Sequence, residues 1–352
     1  VQSLSQMNLE RLPPEAFDVV IVDEFHRAGA PTYKGLLGHL RPKVLLGLTA
    51  TPERTDSEDI LHYFDGHIAA EMRLWDALER NLVCPFQYFG VHDNSDLRAV
   101  RFARGLYDVG ELDKLYTGND ARVALVLKQL EAKHRDFRRM RALGFCVSVA
   151  HAEFMARRFT EAGLRSLAVS ADTKHGDRAG ALSKLRKGEV RALFAVDVFN
   201  EGVDLPEVDT LLFLRPTESA LVFLRQLGRG LRRWEGKDCV TVLDFIGHAH
   251  QRFRFDLRYR AVTGSTRTEV EKEIEQDFPF LPAGCSMQLD RVARDIVLQN
   301  IRSAIPSRRP AMVRELRGLL ESDRFRGRVP SLREFLDETG LELGDVYKSG
   351  CW

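Results

Sequence analysis

The sequence lacks the features that would place it in a membrane or in an oxidising compartment. Its apolar runs are far shorter than the ~18 residues that a membrane-spanning helix needs. Only 5 of its 352 residues are cysteine, and their scattered positions are typical of neither a zinc site nor a disulfide framework. We therefore predict a cytoplasmic protein with no membrane partner.

The sequence also lacks an excess of charge, an internal repeat and a methionine at its start. Lys and Arg total 52 while Asp and Glu total 51, so any surface for a polyanion has to be local. The 44% hydrophobic content supports more than one core, because single cores rarely exceed about 250–300 residues. Since the first residue is Val1, we expect that the chain begins inside a longer protein.

The most informative segment is residues 19–26, which read Val-Val-Ile-Val-Asp-Glu-Phe-His. Such an apolar run is typical of a strand buried on both faces of a parallel sheet, and α/β proteins place their chemistry at the ends of such strands. Adjacent carboxylates suit a nucleotide site there, because Asp23 can hold Mg²⁺ on phosphate oxygens and Glu24 can orient or deprotonate water. A buried strand that runs into a solvated acidic turn explains the same residues equally well.

Two further clusters follow predicted strands. Residues 49–51, Thr-Ala-Thr, come after the apolar residues 44–48, where their hydroxyls could hydrogen-bond the acid pair, although threonines also start ordinary turns. Residues 199–206 contain Gly202, which permits a close backbone approach, and Asp204, which could bind a ribose hydroxyl or a partner arginine. By itself this second cluster is equally a turn that contains an acid.

A basic cluster, residues 226–233, reads Gln-Leu-Gly-Arg-Gly-Leu-Arg-Arg. Arg229 and Arg232 are three positions apart, so we expect them to share a helix face and to clamp a phosphate that gains negative charge. A solvated basic helix is the alternative. Two other basic runs each have two interpretations. A solvated helix end or a phosphate track explains the run of Arg135, Arg138, Arg139 and Arg141. Amphipathic packing or a nucleic-acid groove explains the alternating arginines and aromatics of residues 252–260.

Apolar segments alternate with amphipathic ones over most of the chain, which predicts an α/β fold with two parallel-sheet lobes. A strongly amphipathic helix starts after Asn119, which is a typical N-cap residue. After about residue 263 the pattern becomes helical throughout. We predict a partial first lobe at residues 1–90, a connector at 91–118, a second lobe at 119–262 and an α-helical accessory domain at 263–352.

The order and spacing of these clusters resemble the superfamily 2 helicases and translocases. Residues 23–26 look like their motif II, 49–51 like motif III, 199–206 like motif V and 226–233 like motif VI, while residues 1–4 look like the tail of motif Ic. The segments 119–122, 215–219 and 280–285 look like bacterial DEAD/DEAH-box-like helicases that carry a helical domain of unassigned function after the motor. The resemblance implies two RecA-like lobes that enclose ATP, the first of them truncated at its N-terminus.

The resemblance also implies an ATP-dependent helicase or translocase that uses ATP and Mg²⁺ and acts on nucleic acid, with DNA favoured over RNA. In that family Asp23 would hold the Mg²⁺ and Glu24 would be the catalytic base for water. From the second lobe the nucleotide would be contacted by Gly202, Asp204, Arg229 and Arg232, with both arginines at the γ-phosphate. The candidate coupling residues are His26, Thr49, Thr51 and Gln226, and the candidate nucleic-acid contacts are Gln2 and Ser3.

Two departures from the family pattern limit this interpretation. No segment reads Gly-x-x-x-x-Gly-Lys-Ser/Thr, and the only Gly-Lys pair, at Gly236, is followed by Asp238. We therefore expect the chain alone to be inactive as an ATPase. Val196 stands where many relatives have a threonine that touches nucleic acid, which puts that contact in doubt. The alternatives are a nucleic-acid-binding module without hydrolysis, or the motor of a restriction or defence nuclease whose nuclease domain lies elsewhere in the parent chain.

Overall fold

The computed structural model divides the chain into two compact units. One unit is drawn from residues 1–71 and 307–352, and the other from residues 72–306. The described residues are 12–25, 28–49, 60–103, 105–196, 205–217, 219–265, 267–303, 312–313, 316, 320, 328–339 and 343–347. Within these ranges, no helix has the length and apolar character needed to cross a membrane.

The first unit contains a strand-helix-strand arrangement. β1 (Val19–Val22) pairs in parallel with β2 (Val44–Gly47), and α1 (Pro31–His39) lies between them in the chain. Pro31 suits the first position of α1, because the N–H that proline lacks would have no partner inside the helix there. A short 3-10 helix, Ile60–Phe64, follows. The predicted pair of parallel strands is therefore present.

The core around β1 covers one face of the strand. Val22 is buried together with Phe25 and Ile60, whereas Val19 is 54% exposed and Ile21 is 60% exposed. The expected burial of this strand on both faces is therefore wrong for the part of the chain that the structure describes. The apolar side chains described near β1 cover only its Val22 face.

The second unit is built on a seven-stranded parallel sheet. Its elements in chain order are α2 (Leu74–Glu79), β3 (Phe86–Asp96), β4 (Phe102–Ala103), β5 (Leu106–Tyr107), α3 (Val109–Tyr116), α4 (Asp120–Lys133), β6 (Ala142–Phe145), α5 (Val149–Glu161), β7 (Ser166–Val169), α6 (His175–Arg186), β8 (Ala192–Ala195), β9 (Thr210–Phe213), α7 (Ala220–Gly230), β10 (Val240–His248), α8 (Phe255–Thr263), α9 (Arg267–Glu275), β11 (Ser286–Leu289) and α10 (Arg291–Ser303). The strand order is β11-β3-β10-β9-β6-β8-β7, with every neighbouring pair parallel. β4 and β5 form a separate antiparallel pair.

Both faces of this sheet are buried, which explains why its strands are almost wholly apolar. Alternate residues of a strand point to opposite faces, so Leu211 and Phe213 of β9 belong to one core cluster while Leu212 belongs to the other. Every residue of β6, β8 and β9 is buried. The predicted α/β class with a parallel sheet is therefore confirmed.

The sheet is larger than the sequence predicts. β3 includes residues 91–96 of the predicted connector and pairs with both β10 and β11. β11 adds a strand to the region predicted to be helical, because a four-residue strand is too short for its periodicity to stand out. The N-cap prediction is confirmed, since the side chain of Asn119 accepts a hydrogen bond from the N–H of Arg122. The domain boundaries themselves stay a prediction.

The region after residue 263 is shared between the two units. α9 and α10 pack into the large core of the second unit through side chains such as Val270 and Val297. Two short helices, α11 (Leu332–Thr339) and α12 (Leu343–Tyr347), belong to the first unit. Met312, Phe335 and Val346 form a small buried cluster there.

Candidate functional site

The acid pair follows β1 in a tight turn. Asp23 Oδ1 accepts a hydrogen bond from the backbone N–H of Glu24 at 2.9 Å. Glu24 has a φ of 52°, a left-handed conformation that is uncommon for residues other than glycine and that is often found at functional sites. Asp23 is exposed and Glu24 is half-buried. The Asp23 carboxylate is therefore open to solvent at the carboxyl end of a parallel strand.

Phe25 fixes this turn to the core of the first unit. Its ring is fully buried and lies 4.8 Å from the ring of Phe64 and 5.6 Å from the ring of Tyr63, measured between centroids. Gly47 of β2 packs against the same ring, because a Cβ atom at this position would be only 2.8 Å from Phe25. Because the ring of Phe64 would be at 2.6 Å from the same Cβ atom, a side chain at residue 47 would have to displace Phe64 or Phe25.

Backbone hydrogen bonds continue beyond β1 and β2 and hold the acid pair beside Thr49. The N–H of Leu48 donates to the carbonyl of Val22 at 2.9 Å, and the N–H of Phe25 donates to the carbonyl of Leu48 at 2.8 Å. The two acids lie between these bonds in the chain, and Thr49 directly follows Leu48. Three predicted site residues thus meet at the carboxyl ends of two adjacent strands.

In the second unit, α7 carries Gln226 and Arg229. The helix begins after Ser219, whose hydroxyl accepts a hydrogen bond from the N–H of Val222 at 3.4 Å. Gln226 is 4% exposed, and its side-chain oxygen lies 3.3 Å from the hydroxyl of Thr217, which donates to it. Gln226 is therefore part of a buried joint between α7 and the segment that follows β9, while Arg229 is half-buried.

The end of α7 separates the two predicted arginines. The helix ends at Gly230, so Arg232 lies beyond it, and the expectation that Arg232 shares a helix face with Arg229 is wrong. A Cβ atom at Gly230 would be 2.7 Å from Val240 of β10. Only glycine therefore lets the end of the helix approach the sheet this closely. The roles of both arginines stay a prediction.

Lys237, in the only Gly-Lys pair of the sequence, holds the end of α7. Its ammonium group donates to the carbonyls of Pro206 at 2.6 Å, Val208 at 3.0 Å and Gly230 at 2.9 Å. The last of these carbonyls is at the C-terminus of the helix, where positive charge is favourable. Burial lowers the pKa of Lys237 below its usual range. Lys237 is therefore a positioning residue for α7, which its sequence context does not reveal.

A buried ion pair ties α8 to the sheet and to α7. Arg258 of α8 donates to the carboxylate of Asp244 of β10, and both side chains are 2% exposed. Tyr88 of β3 donates its hydroxyl to the same carboxylate oxygen at 2.5 Å. The guanidinium of Arg258 lies 4.5 Å from the ring centre of Phe223 of α7. Burial lowers the pKa of Arg258, but the Asp244 carboxylate more than offsets this and the net shift is upward. Of the two interpretations of residues 252–260, internal packing is therefore correct at Arg258.

A second buried ion pair lies toward the carboxyl ends of the strands. Nε of Arg122 donates to the carboxylate of Asp93 at 2.7 Å, and Nη2 donates to the carbonyl of Leu214 at 3.0 Å. The side chains of Arg122 and Asp93 are 2% and 0% exposed. The same guanidinium lies 4.1 Å from the ring centre of Tyr116. Arg122 thus joins α4, β3 and the segment that leads from β9 into α7.

His151 is buried beside this pair in its neutral form. Its ring stacks on Tyr116 with the centroids 5.5 Å apart, and its Nδ1 accepts a hydrogen bond from the N–H of Val147 at 3.4 Å. Burial and, to a smaller extent, the positive charge of Arg122 lower the pKa of His151 to about 3. Because an unfolded histidine titrates near pH 6.5, the unfolded chain binds one more proton than the folded chain between these two values.

We expect the second unit to lose stability as the pH falls below 6.5, and we expect His151→Phe to reduce that loss. At pH 5.0 the additional proton on the unfolded chain lowers the free energy of unfolding by about 2 kcal/mol, and the loss continues down to about pH 3. Urea unfolding at pH 7.5 and at pH 5.0 measures this loss in the free energy of unfolding. His67→Gln, at an exposed position, is the control. Equal losses in His151→Phe and in the native protein would contradict the low pKa.

The structure describes half of the predicted site residues. Asp23, Glu24 and Thr49 belong to the first unit, and Gln226, Arg229 and Arg232 belong to the second. The remaining residues, Gln2, Ser3, His26, Thr51, Gly202 and Asp204, lie outside the described residues. Across the described ranges, no group of three or more His, Cys, Asp or Glu side chains is arranged to hold a metal ion.

Two family models match this chain, one over each of the two regions that contain the predicted site residues. Residues 1–54 match the family model "Type III restriction enzyme, res subunit", and residues 122–233 match the model "Helicase conserved C-terminal domain". A Saccharomyces cerevisiae protein described as a candidate ATP-dependent helicase, IRC3, is 27% identical over 253 residues, which cover 70% of this chain and 36% of the relative. The chain spans about a third to a half of the length of the curated relatives it matches.

Two solved structures share the fold. One is a fragment of a candidate HsdR subunit of a type I restriction enzyme from Vibrio vulnificus, with a TM-score of 0.56 and 20% identity over 82% of this chain and 50% of that chain. The other is an ATP-dependent Type ISP restriction-modification enzyme, LlaBIII, bound to DNA, with a TM-score of 0.57 and 15% identity over 85% of this chain and 24% of that chain. At these identities the likeness shows the fold alone.

The parallel sheet with flanking helices is the architecture of a RecA-like lobe of the α/β class. The two family models agree with what the motifs imply, namely that the chain is similar to superfamily 2 helicases.

Proposed function

We propose that this chain forms the body of an ATP-dependent nucleic-acid helicase or translocase. The observation that carries the proposal is the turn after β1, which holds Asp23 and Glu24 together at the carboxyl end of a parallel strand. Ligands of α/β proteins bind at such strand ends. The match of residues 122–233 to a helicase domain supports the proposal.

In this proposal Asp23 is the protein ligand of the Mg²⁺ that accompanies ATP, and Glu24 is the base that accepts a proton from the attacking water. The exposed carboxylate of Asp23 fits a cation that keeps most of its ligands as water and phosphate oxygens. When bound, Mg²⁺ neutralises charge on the phosphates. Arg229 and Arg232 contribute positive charge at the γ-phosphate, and further nucleotide contacts come from Gly202 and Asp204.

The proposal extends to coupling and to the substrate. The coupling residues are His26, Thr49, Thr51 and Gln226, and Gln2 and Ser3 contact the nucleic acid. DNA is the proposed substrate, since one of the proteins that share this fold is described as bound to DNA. Four cysteines among the described residues are free, which fits a protein that works in the reducing cytoplasm.

Glu24→Gln is expected to lower the rate of nucleic-acid-stimulated ATP hydrolysis by about 100-fold or more, because a general base contributes about 10²- to 10⁴-fold. The substitution keeps the size of the side chain and removes its charge, so the turn after β1 keeps its shape. The measurement is phosphate release by the parent protein, including any residues that precede Val1, with DNA, with RNA and with neither.

Glu15→Gln is the matched control, because it makes the same change at an exposed position of the first unit and is expected to retain the native rate. An unaltered rate in Glu24→Gln would overturn the assignment of the catalytic base. Nucleic-acid binding with no hydrolysis in the native parent protein would favour a binding module instead. Stimulation by RNA and not by DNA would overturn the proposed substrate alone.

A second candidate function is the motor of a restriction or defence nuclease. The match of residues 1–54 to a restriction-enzyme family model favours it. The parent protein would then cleave DNA with residues outside this chain when ATP is supplied. Incubation of the parent protein with ATP and long duplex DNA tests this function. DNA that stays intact while ATP is hydrolysed would leave only the helicase or translocase proposal.

A further inference from the structure

The amino ends of four sheet strands in the second unit form a basic surface. β10, β9, β6 and β8 are consecutive neighbours and run parallel, so the residues that precede them meet at one edge of the sheet. At that edge lies a cavity of about 610 Å³, here named the amino-edge cavity. The cations that line it are Arg135, Arg139, Arg141, Lys187 and Arg191. This edge is opposite to the strand ends that lead into the predicted motifs.

Two of these cations converge on Gly188. A Cβ atom at Gly188 would be 3.2 Å from Nη1 of Arg191 and 3.9 Å from Nη2 of Arg141. Nε of Arg141 donates to the carbonyls of Leu185 and Arg186, both at 3.3 Å, which directs this guanidinium toward the cavity wall. In the described part of the chain, neither Arg141 nor Arg191 forms an ion pair with a carboxylate. Both guanidinium groups therefore lie beside Gly188, where an anion could accept hydrogen bonds from them.

The acids at the amino-edge cavity do not balance its cations. Oδ1 of Asp209 already accepts hydrogen bonds from the N–H of Arg141 at 3.0 Å and from the hydroxyl of Thr210 at 2.7 Å. The same oxygen lies 3.7 Å from Nε2 of His134. Asp136 is the other acid that lines the cavity, and it is exposed. The cavity therefore carries an excess of positive charge, although the formal net charge of the chain is only +1.

An exposed aromatic side chain lies at a second, adjoining cavity. This cavity of about 470 Å³ is also lined by Trp234, and it shares five residues with the first cavity, namely His134, Arg135, Arg141, Asp209 and Gly236. Trp234 is 49% exposed, although a side chain of this size is usually well buried. The acids and cations of the second cavity balance, with Lys133, Arg135, Arg141 and Lys237 against Glu207, Asp209, Glu235 and Asp238. Of these two cavities, the amino-edge cavity therefore carries the excess of positive charge, and the indole lies beside it.

We propose that the amino-edge cavity and Trp234 together bind a single strand of nucleic acid, with phosphates in the cavity and a base on the indole. Guanidinium groups bind phosphate oxygens through charge-assisted hydrogen bonds. Sites for single strands combine a basic groove with aromatic side chains on which bases stack. A free phosphate would use the two converged arginines but neither the exposed cations nor Trp234. The proposal rests on the proposed function only in taking nucleic acid as the partner.

The test measures how tightly a fluorescein-labelled oligothymidylate of about 15 nucleotides binds to the whole chain. Fluorescence anisotropy reports the binding, at several salt concentrations and without ATP. Arg135→Glu/Arg139→Glu is expected to weaken binding about tenfold or more. The slope of log K against log salt should fall by about 1.4, because each lost contact to a single strand contributes about 0.7. Arg191→Gln, which removes one converged guanidinium, should lower the slope by about 0.7 and serves as the second variant if the double variant does not fold.

Lys272→Glu/Arg291→Glu is the matched control, since it makes the same change in charge at exposed positions of α9 and α10 and should bind as the native chain does. Tryptophan fluorescence gives a readout at the site itself. We expect the oligonucleotide to quench it, and we expect Trp234→Phe to abolish the quenching while Trp75 and Trp352 remain.

Results of three kinds would overturn the proposal. The first is an unchanged salt slope in both the Arg135→Glu/Arg139→Glu and Arg191→Gln variants, or equal weakening in the control. The second is quenching that persists in Trp234→Phe. The third is a competitor that binds as well as the oligonucleotide does. Full displacement of the oligonucleotide by inorganic phosphate at the same phosphate concentration would identify a site for small phosphate compounds. Equally tight binding of polyglutamate would identify an acidic protein partner. Because ATP is absent throughout, this test and the hydrolysis test with Glu24→Gln succeed or fail separately.

Discussion

Replacing Arg258 by alanine is expected to lower the free energy of unfolding of the second unit by about 3–5 kcal/mol. The substitution would leave the carboxylate of Asp244 buried without the positive charge that compensates it. It would also remove the guanidinium that packs over Phe223 of α7. Native-state hydrogen exchange of the β10 amides measures the effect, because these amides report the opening of the centre of the sheet.

The control for Arg258→Ala is Arg98→Ala. Arg98 pairs with Asp96, but these side chains are 65% and 51% exposed, and water screens such a pair. We therefore expect the exchange of the β10 amides to be nearly unchanged in this variant. If Arg258→Ala altered exchange no more than Arg98→Ala does, the buried pair would not hold the sheet and α8 together.

Arg122→Ala is expected to destabilise the second unit by a similar amount, about 3–5 kcal/mol. It would leave Asp93 buried and unneutralised and would remove the donor to the carbonyl of Leu214. Urea unfolding at pH 7.5 measures the loss. The double variant Asp93→Asn/Arg122→Met removes both charges, so its loss should be smaller than the sum of the two single losses.

Arg158→Ala is the matched control for Arg122→Ala. Arg158 pairs with Asp120 of α4, but the two side chains are 35% and 62% exposed. This pair can be lost with little effect, because both charges regain water. Additive losses for Asp93→Asn and Arg122→Met, or a loss in Arg158→Ala equal to that in Arg122→Ala, would contradict the assigned importance of the buried pair.

The strands and the acid pair could be predicted because their signals are local. β1 and β2 are short apolar segments, and parallel strands bring their carboxyl ends to one edge, so Thr49 could be expected near Asp23 and Glu24. The same reasoning predicted the strands of the second sheet, whose burial on both faces leaves a nearly continuous apolar sequence.

The contacts that position α7 could not be predicted, because their partners are distant in the sequence. Tyr88 and Asp244 are 156 residues apart, yet they share a hydrogen bond beneath α8. Arg258 occurs in a run that suits a nucleic-acid groove equally well, and only the fold shows that its charge is internal. The end of α7 before Arg232 likewise depends on Val240 and Lys237, which lie beyond the basic cluster in the sequence.

The position of β3 also determines how the second unit folds and where it can be divided. β3 is the first strand of the seven-stranded sheet in chain order, but it lies between β10 and β11, which are the last two. The sheet therefore cannot be completed until nearly all of the unit has been synthesised, and pairing over such a separation is slow. A shortened chain that began at residue 119 would expose an unpaired edge of β10, which promotes aggregation. A stable isolated second unit has to begin before Phe86.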